Sequence, residues 1–361
     1  MNAHRKHTRN ETYLFYVIFL LLISLAAPAV ATDTMFGANP EHTGVYDNGG
    51  ITPTNTELWR FATGDSVYSS LAVSNGVVYI GSFDHNLSAI DAVTGKEKWR
   101  FATGDIVCSS PAVANGVVYV GSNDKNLYAI DAVTGTKKWQ FATGGSVYSS
   151  PVVSNGVVYV GSDDNNLYAI DAATKTKKWQ FATGDIVDSS PAVSNGVVYV
   201  GSFDHNLYAI DAATGTKKWQ FATGGSVYSS SPSVANGVVY VGSEDNNLYA
   251  IDAVTGTKKW QFATGNNIDS SPVVANGVVY VGSDDKNLYA IDAMTGTEKW
   301  RFATGDNLYS SPAVANGVVY VGSNDNNLYA IGQKPLTRGT PMSSLLPIIA
   351  ILGLVILARR R

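Results

Sequence analysis

Charge is scarce in this sequence of 361 residues: 25 Lys and Arg against 29 Asp and Glu amount to 15%, where an average soluble protein carries roughly 25%. Cysteine is scarcer still. The single Cys108 excludes an internal disulfide and any zinc or iron–sulfur site built from several thiolates. Helical spacing of apolar residues is missing from the middle of the chain, and 35 glycines are too many for a helical bundle. Disorder is excluded as well, because 45% of the residues are hydrophobic. Length alone would suggest about two or three domains, but internal repetition overrides that prior and has to be sought first.

The two ends stand apart from the rest. Arg5, Lys6 and Arg9 precede an apolar run from Tyr13 to Ala27, and Ala29-Val30-Ala31 supplies small residues at a cleavage spacing, so residues 1–31 read as a secretory signal, with an uncleaved anchor as the alternative. At the other end, Leu345 to Ala358 is almost wholly apolar and runs into Arg359, Arg360 and Arg361. As a helix this stretch would span about 21 Å against a ~30 Å hydrocarbon core, so neighbouring residues or snorkelling arginines must complete the span. The arginines should remain cytoplasmic. The expectation is an exported middle with residues 332–344 as linker and 345–361 as a membrane anchor.

What is present between the ends is one unit written seven times. The phrase Asn-Gly-Val-Val-Tyr-Val/Ile-Gly-Ser begins at Asn75, Asn115, Asn155, Asn195, Asn236, Asn276 and Asn316, at intervals of 40 with a single 41, the extra residue being Ser229, Ser230 or Ser231. All seven tryptophans, Trp59, Trp99, Trp139, Trp179, Trp219, Trp260 and Trp300, keep the same beat. Within the first unit four strands can be laid out: A over Val67 to Val73, B over Val77 to Ser82, C over Leu87 to Asp91, and D around Trp99. The Asn75-Gly76 pair between A and B suits a type I′ hairpin. Forty residues in four antiparallel strands is the size of one propeller blade, and seven copies predict an all-β, seven-bladed β-propeller over residues 57–331, preceded by a lead-in over 32–56. The seventh unit lacks a strand D, whereas Leu58 to Thr63 is a strand D with no preceding A to C. Joining the two would close the ring and leave no unpaired edge at the seam.

Six copies follow the pattern Ala-x-Asp-x-x-Thr-Gly-x-x-x-Trp, as in Ala89, Asp91, Thr94, Gly95 and Trp99. This resembles the tryptophan-docking motif of pyrroloquinoline-quinone-type, quinoprotein-like propellers. The segment Met35-Phe36-Gly37-Ala38-Asn39-Pro40-Glu41-His42-Thr43-Gly44 is similar to the lead-in of that family. The resemblance covers residues 35 to 331 and implies that the tryptophans lock adjoining blades together. Departures are Lys175 in place of the turn glycine of the third unit and Gly332 in place of the motif Asp in the seventh.

Function has to lie where the copies differ, because identical positions are accounted for by packing. The A-to-B and C-to-D turns repeat almost unchanged, while the D-to-A and B-to-C loops, which open on the other face, vary. Next to an invariant apolar position, one site runs Tyr68, Cys108, Tyr148, Asp188, Tyr228, Asp269 and Tyr309. On the innermost strand these seven side chains should ring the channel mouth, as a binding surface or as mere filling. Residues 32 to 331 hold 17 basic and 28 acidic residues, and 16 of the acids fall in the variable loops against only Lys125 and Lys286. That acidic face argues against nucleic-acid partners and leaves cations or basic partners, or simply solvated turn acids. The recurrent Asp84, Asp124, Asp164, Asp204, Asp245, Asp285 and Asp325 are ordinary turn residues on this reading.

Specific chemistries find little support. His85 and His205 stand too far around a ring to share a metal, Cys108 is either a reactive thiol or small buried filler, and Asn86-Leu87-Ser88 is a short glycosylation sequon. The favoured function is a non-catalytic, membrane-anchored surface propeller, without cofactor or metal, that binds a protein, glycan or small ligand on its variable face. The family resemblance implies two alternatives: a quinoprotein oxidoreductase using pyrroloquinoline quinone (PQQ) and calcium, for which no catalytic residue can be named, and an envelope-assembly scaffold.

Overall fold

The computed structural model describes residues 37–39, 58–315 and 317–332. The signal, the linker beyond Gly332 and the C-terminal anchor expected from the sequence lie outside them. Seven antiparallel sheets follow one another along the chain, each in the order A-B-C-D; six have four strands and the seventh has three. No helix of the described residues is long and apolar enough to cross a membrane.

In blade one, strand A is Ala72–Ser74, B is Val77–Gly81, C is Asn86–Asp91 and D is Glu97–Ala102. Asn75 and Gly76 have φ of 51° and 73°, the two left-handed residues that a type I′ turn demands. The C-to-D turn is tied by Asp91, whose Oδ1 accepts the Thr94 amide at 2.9 Å, and the same hydrogen bond recurs from Asp131 to Thr134 and onwards. Strand C of blades two to six is buried on both faces because each of these blades is stacked between two others: Leu127, Leu167, Leu207, Leu248 and Leu288 are fully buried. Burying each such side chain contributes about 1.5–3 kcal/mol, repeated blade after blade. Strand D is the outer strand and keeps one face in solvent.

Strand A is shorter than its sequence suggests, three residues instead of seven. The preceding residues, Val67 to Leu71, leave the ladder because their serines bond elsewhere, and from blade two onward a proline, such as Pro111 or Pro151, has no amide to donate to it.

At the seam the structure differs from expectation. Blade seven consists of Ala313–Ala315, Val318–Ser323 and Asn327–Gly332, and residues 58–63 form no strand beside it. Leu328 is accordingly 75% exposed, whereas its counterpart Leu288 is fully buried, and Leu71 of blade one is 52% exposed. The other half of the expected arrangement is made. Trp59 donates its indole N–H to the Ala92 carbonyl of blade one at 2.9 Å, as Trp99 does to Ala132 at 3.0 Å. Among the described residues, it is this contact to blade one that ties residues 58–63 to the sheets.

Candidate functional site

Two loops of each blade build the variable face, and a paired serine holds them. Ser149 accepts the amide of Gly161 on its own strand B at 3.0 Å and donates to the Ser189 carbonyl of the next blade at 3.2 Å. Its neighbour Ser150 donates its amide to Ser190 Oγ, again in the next blade, at 3.0 Å. The amide-to-hydroxyl link runs from Ser70 through Ser110, Ser150, Ser190, Ser231 and Ser271 to Ser311. This collar of serines escaped the sequence reading: Ser-Ser recurs in every unit, and an invariant polar pair close to a channel was the available signal. It also identifies the inserted residue. Ser230 and Ser231 take the places of the usual pair, so Ser229 is the extra one.

Beside the serines, the invariant apolar residue turns inward to the sheets. Val147 nests against Gly121 of the preceding blade, where a Cβ would come within 2.4 Å of it. With one side chain fixed there, its neighbour must point the other way, into the channel. All seven positions from Tyr68 to Tyr309 accordingly line one cavity of about 550 Å³, although they sit on the segment leading into strand A and not on the strand itself.

A second tier of B-to-C turn residues positions this ring. The Asn123 amide donates to the Tyr148 hydroxyl at 2.6 Å, and Phe203 stacks on Tyr228 with centroids 4.2 Å apart. Phe83 stacks on Tyr68 at 4.6 Å. The recurrent turn Asp behind them is structural, as expected: Asp124 accepts the Gly104 amide at 2.6 Å and the Tyr128 hydroxyl at 2.6 Å. His85 and His205 occupy left-handed turn positions, with φ of 66° and 67°, where other blades carry Asn or Lys. No group of three or more His, Cys, Asp or Glu that could hold a metal ion occurs among the described residues.

The electrostatics of the cavity are one-sided, with no Lys or Arg in its lining. Burial pushes the Asp269 carboxyl up to about 6, helped by the charges of Asp284 and Glu244. Asp188 is raised too, by burial and then by Asp163, with which it shares a hydrogen bond and a like charge. Cys108 is pushed up to about 11 by burial and by the carboxylates of Asp105 and Asp188, which keeps it a protonated thiol and not a nucleophile at neutral pH.

Four overlapping stretches, residues 49–148, 127–185, 177–272 and 262–338, match the model of the PQQ-type repeat family described as outer membrane protein assembly factor BamB. The chain belongs to this family. BamB from Moraxella catarrhalis has a similar fold, with a TM-score of 0.67 at 22% identity over 76% of this chain and 88% of its own. The quinohemoprotein alcohol dehydrogenase ADHIIG from Pseudomonas putida HK5 is similar at a TM-score of 0.62 and 18% identity, over 71% of this chain and 62% of its own. No curated protein sequence matches. BamB-type propellers and PQQ enzymes thus share this architecture, and the channel has to discriminate between them. A polyanionic quinone does not fit a lining that offers two carboxylates and no cationic side chain, and calcium would find no group of three or more acids placed to hold it among the described residues.

Proposed function

We propose that this BamB-family propeller is a non-catalytic binding or scaffold module that works outside the cytoplasm, held at the membrane by residues 345–361 after export directed by residues 1–31. Its working surface is the variable acidic face. The observation that carries this reading is the distribution of differences: units that repeat their packing residues almost letter for letter diverge in the ring from Tyr68 to Tyr309 and in the turn residues behind it. A PQQ-dependent oxidoreductase is the second reading, favoured by the likeness to the alcohol dehydrogenase and opposed by the charge of the channel.

The test places a photo-crosslinking amino acid at Tyr148 or, on the opposite face, at Asn155, in the full chain expressed in its own cells. Adducts from position 148 alone support the proposal. Equal adducts from both positions, or a quinone absorbance that appears on adding PQQ and calcium, would overturn it.

A further inference from the structure

Within the channel mouth the acids are not spread evenly. Asp188 of blade four faces Asp163, and Asp269 of blade six faces Glu244 and Asp284, so two acidic poles flank the Tyr228 ring of blade five. Asp269 is only 9% exposed, and its carboxylate makes no hydrogen bond among the described residues; what surface it retains opens on the cavity. At the other pole, Asp163 and Asp188 share one hydrogen bond and so one proton, which leaves the pair a single negative charge, and the Oδ1 atom of each is buried with no further partner. Carboxylates withdrawn from water either hold a proton more tightly, as Asp188 and Asp269 do, or need a positive charge opposite, and none lines this cavity. Four blades carry Tyr at the same position, so the fold itself does not require an acid there.

A cationic ligand would supply the missing counter-charge, and its chemistry can be read from the walls. Asp188 and Asp269 stand two blades apart, too dispersed for one metal ion. Between and around them stand Tyr148, Tyr228 and Tyr309, aromatic rings of the kind that hold ammonium groups. A volume of about 550 Å³ suits a small organic molecule. We propose that the channel mouth binds a small organic dication, a diamine or polyamine, with one ammonium on the Asp163–Asp188 pole, one on the Asp269 pole, and its chain across Tyr228. This rests on the variable face being the working face, and it names the ligand class.

Isothermal titration of the detergent-solubilised full chain with putrescine, spermidine, butylamine and a lysine-rich peptide tests it. Putrescine or spermidine should bind at least about tenfold more tightly than butylamine, and Asp188→Asn and Asp269→Asn should each weaken that binding about tenfold or more. Asparagine fills the space of aspartate without its buried carboxylate, so folding should survive, as circular dichroism would show. Absence of binding by any amine, equal binding of mono- and diamine, or binding of the peptide alone would each overturn the proposal. Face-specific crosslinking at Tyr148 in the same chain would persist if only the ligand assignment were wrong.

Discussion

The indole of Trp179 lies so close to Gly215 of the next blade that a Cβ on the glycine would come within 2.7 Å of the ring. Its N–H reaches the Ala212 carbonyl at 3.0 Å, so strand D of blade three, Lys177–Ala182, is bolted to the C-to-D turn of blade four. Trp59 on Gly95, Trp99 on Gly135, Trp219 on Gly256 and Trp260 on Gly296 repeat the contact. Trp179→Ala should cost about 3–5 kcal/mol, the usual range for emptying a buried tryptophan site. Urea denaturation would read the loss; unchanged stability would mean that the docking contact is dispensable.

Blade four receives its tryptophan on glycine, whereas the corresponding turn residue of blade three is Lys175. Lys175 adopts φ of 65°, and its amide still donates to the Asp171 carbonyl at 2.8 Å, so the turn is the same with a side chain where others have none. A left-handed non-glycine residue costs about 1–2 kcal/mol, part of which glycine gives back in unfolded-state entropy. Lys175→Gly is therefore expected to stabilise the protein by about 0.5–1 kcal/mol, measured as a shift of the denaturation midpoint.

Ser149 serves two blades with one hydroxyl. Ser149→Ala strands the Gly161 amide and the Ser189 carbonyl in the interior, and a buried group left unsatisfied costs about 1–3 kcal/mol. Hydrogen exchange should accelerate at Gly161 before it does at residues of the outer strands. Substitution of an exposed serine such as Ser229 should change neither.

For Asp269 the pH dependence has a definite sign. Its folded carboxyl titrates near 6, above the unfolded value of about 3.9, so its contribution to stability is complete below the unfolded value and disappears as pH rises through 6. Melting temperature should fall between about pH 4 and 7, and Asp269→Asn should flatten the fall. Asp131, Asp252 and Asp292 act in the opposite sense, lowered to about 2 by Thr and Lys hydrogen bonds, and matter only at more acidic pH. An identical profile in the variant would show that Asp269 is better solvated than its burial implies.

At the seam, the register of the other blades sets what closure would look like. Asn287 pairs with Ala303 and Leu288 with Phe302 in blade six, so a closed ring would put Asn327 opposite Ala62 and Leu328 opposite Phe61. In a Cys108→Ser background, Ala62→Cys with Asn327→Cys should form a disulfide on mild oxidation and raise the melting temperature. No crosslink would leave blade seven three-stranded in solution. Moving residues 57–63 to follow Ile331 should have the same stabilising effect, and deleting residues 32–63 should promote aggregation through the exposed edge.

Much of this protein is legible in its sequence because the information is repeated. An Asn-Gly pair needs two left-handed residues wherever it occurs, and alternating β-branched residues of one unit can bury both faces only between copies of itself; from these alone follow the strands, their turns, the blade and the number of blades. The identity of the ring from Tyr68 to Tyr309 follows as well, since a period-2 pattern places neighbours of Val147 and its equivalents on the opposite side. Three things were decided only by tertiary structure. The serine collar depends on hydroxyls of one blade reaching carbonyls and amides of the next, a contact across about forty residues that no local pattern encodes. The two acidic poles arise because the turn residue of one blade meets the ring residue of its neighbour, which pairs Asp163 with Asp188 and Glu244 with Asp269. The seam depends on whether a strand from one end of the chain finds an edge at the other, and the long loop it must close makes that a matter of folding energy rather than of residue pattern.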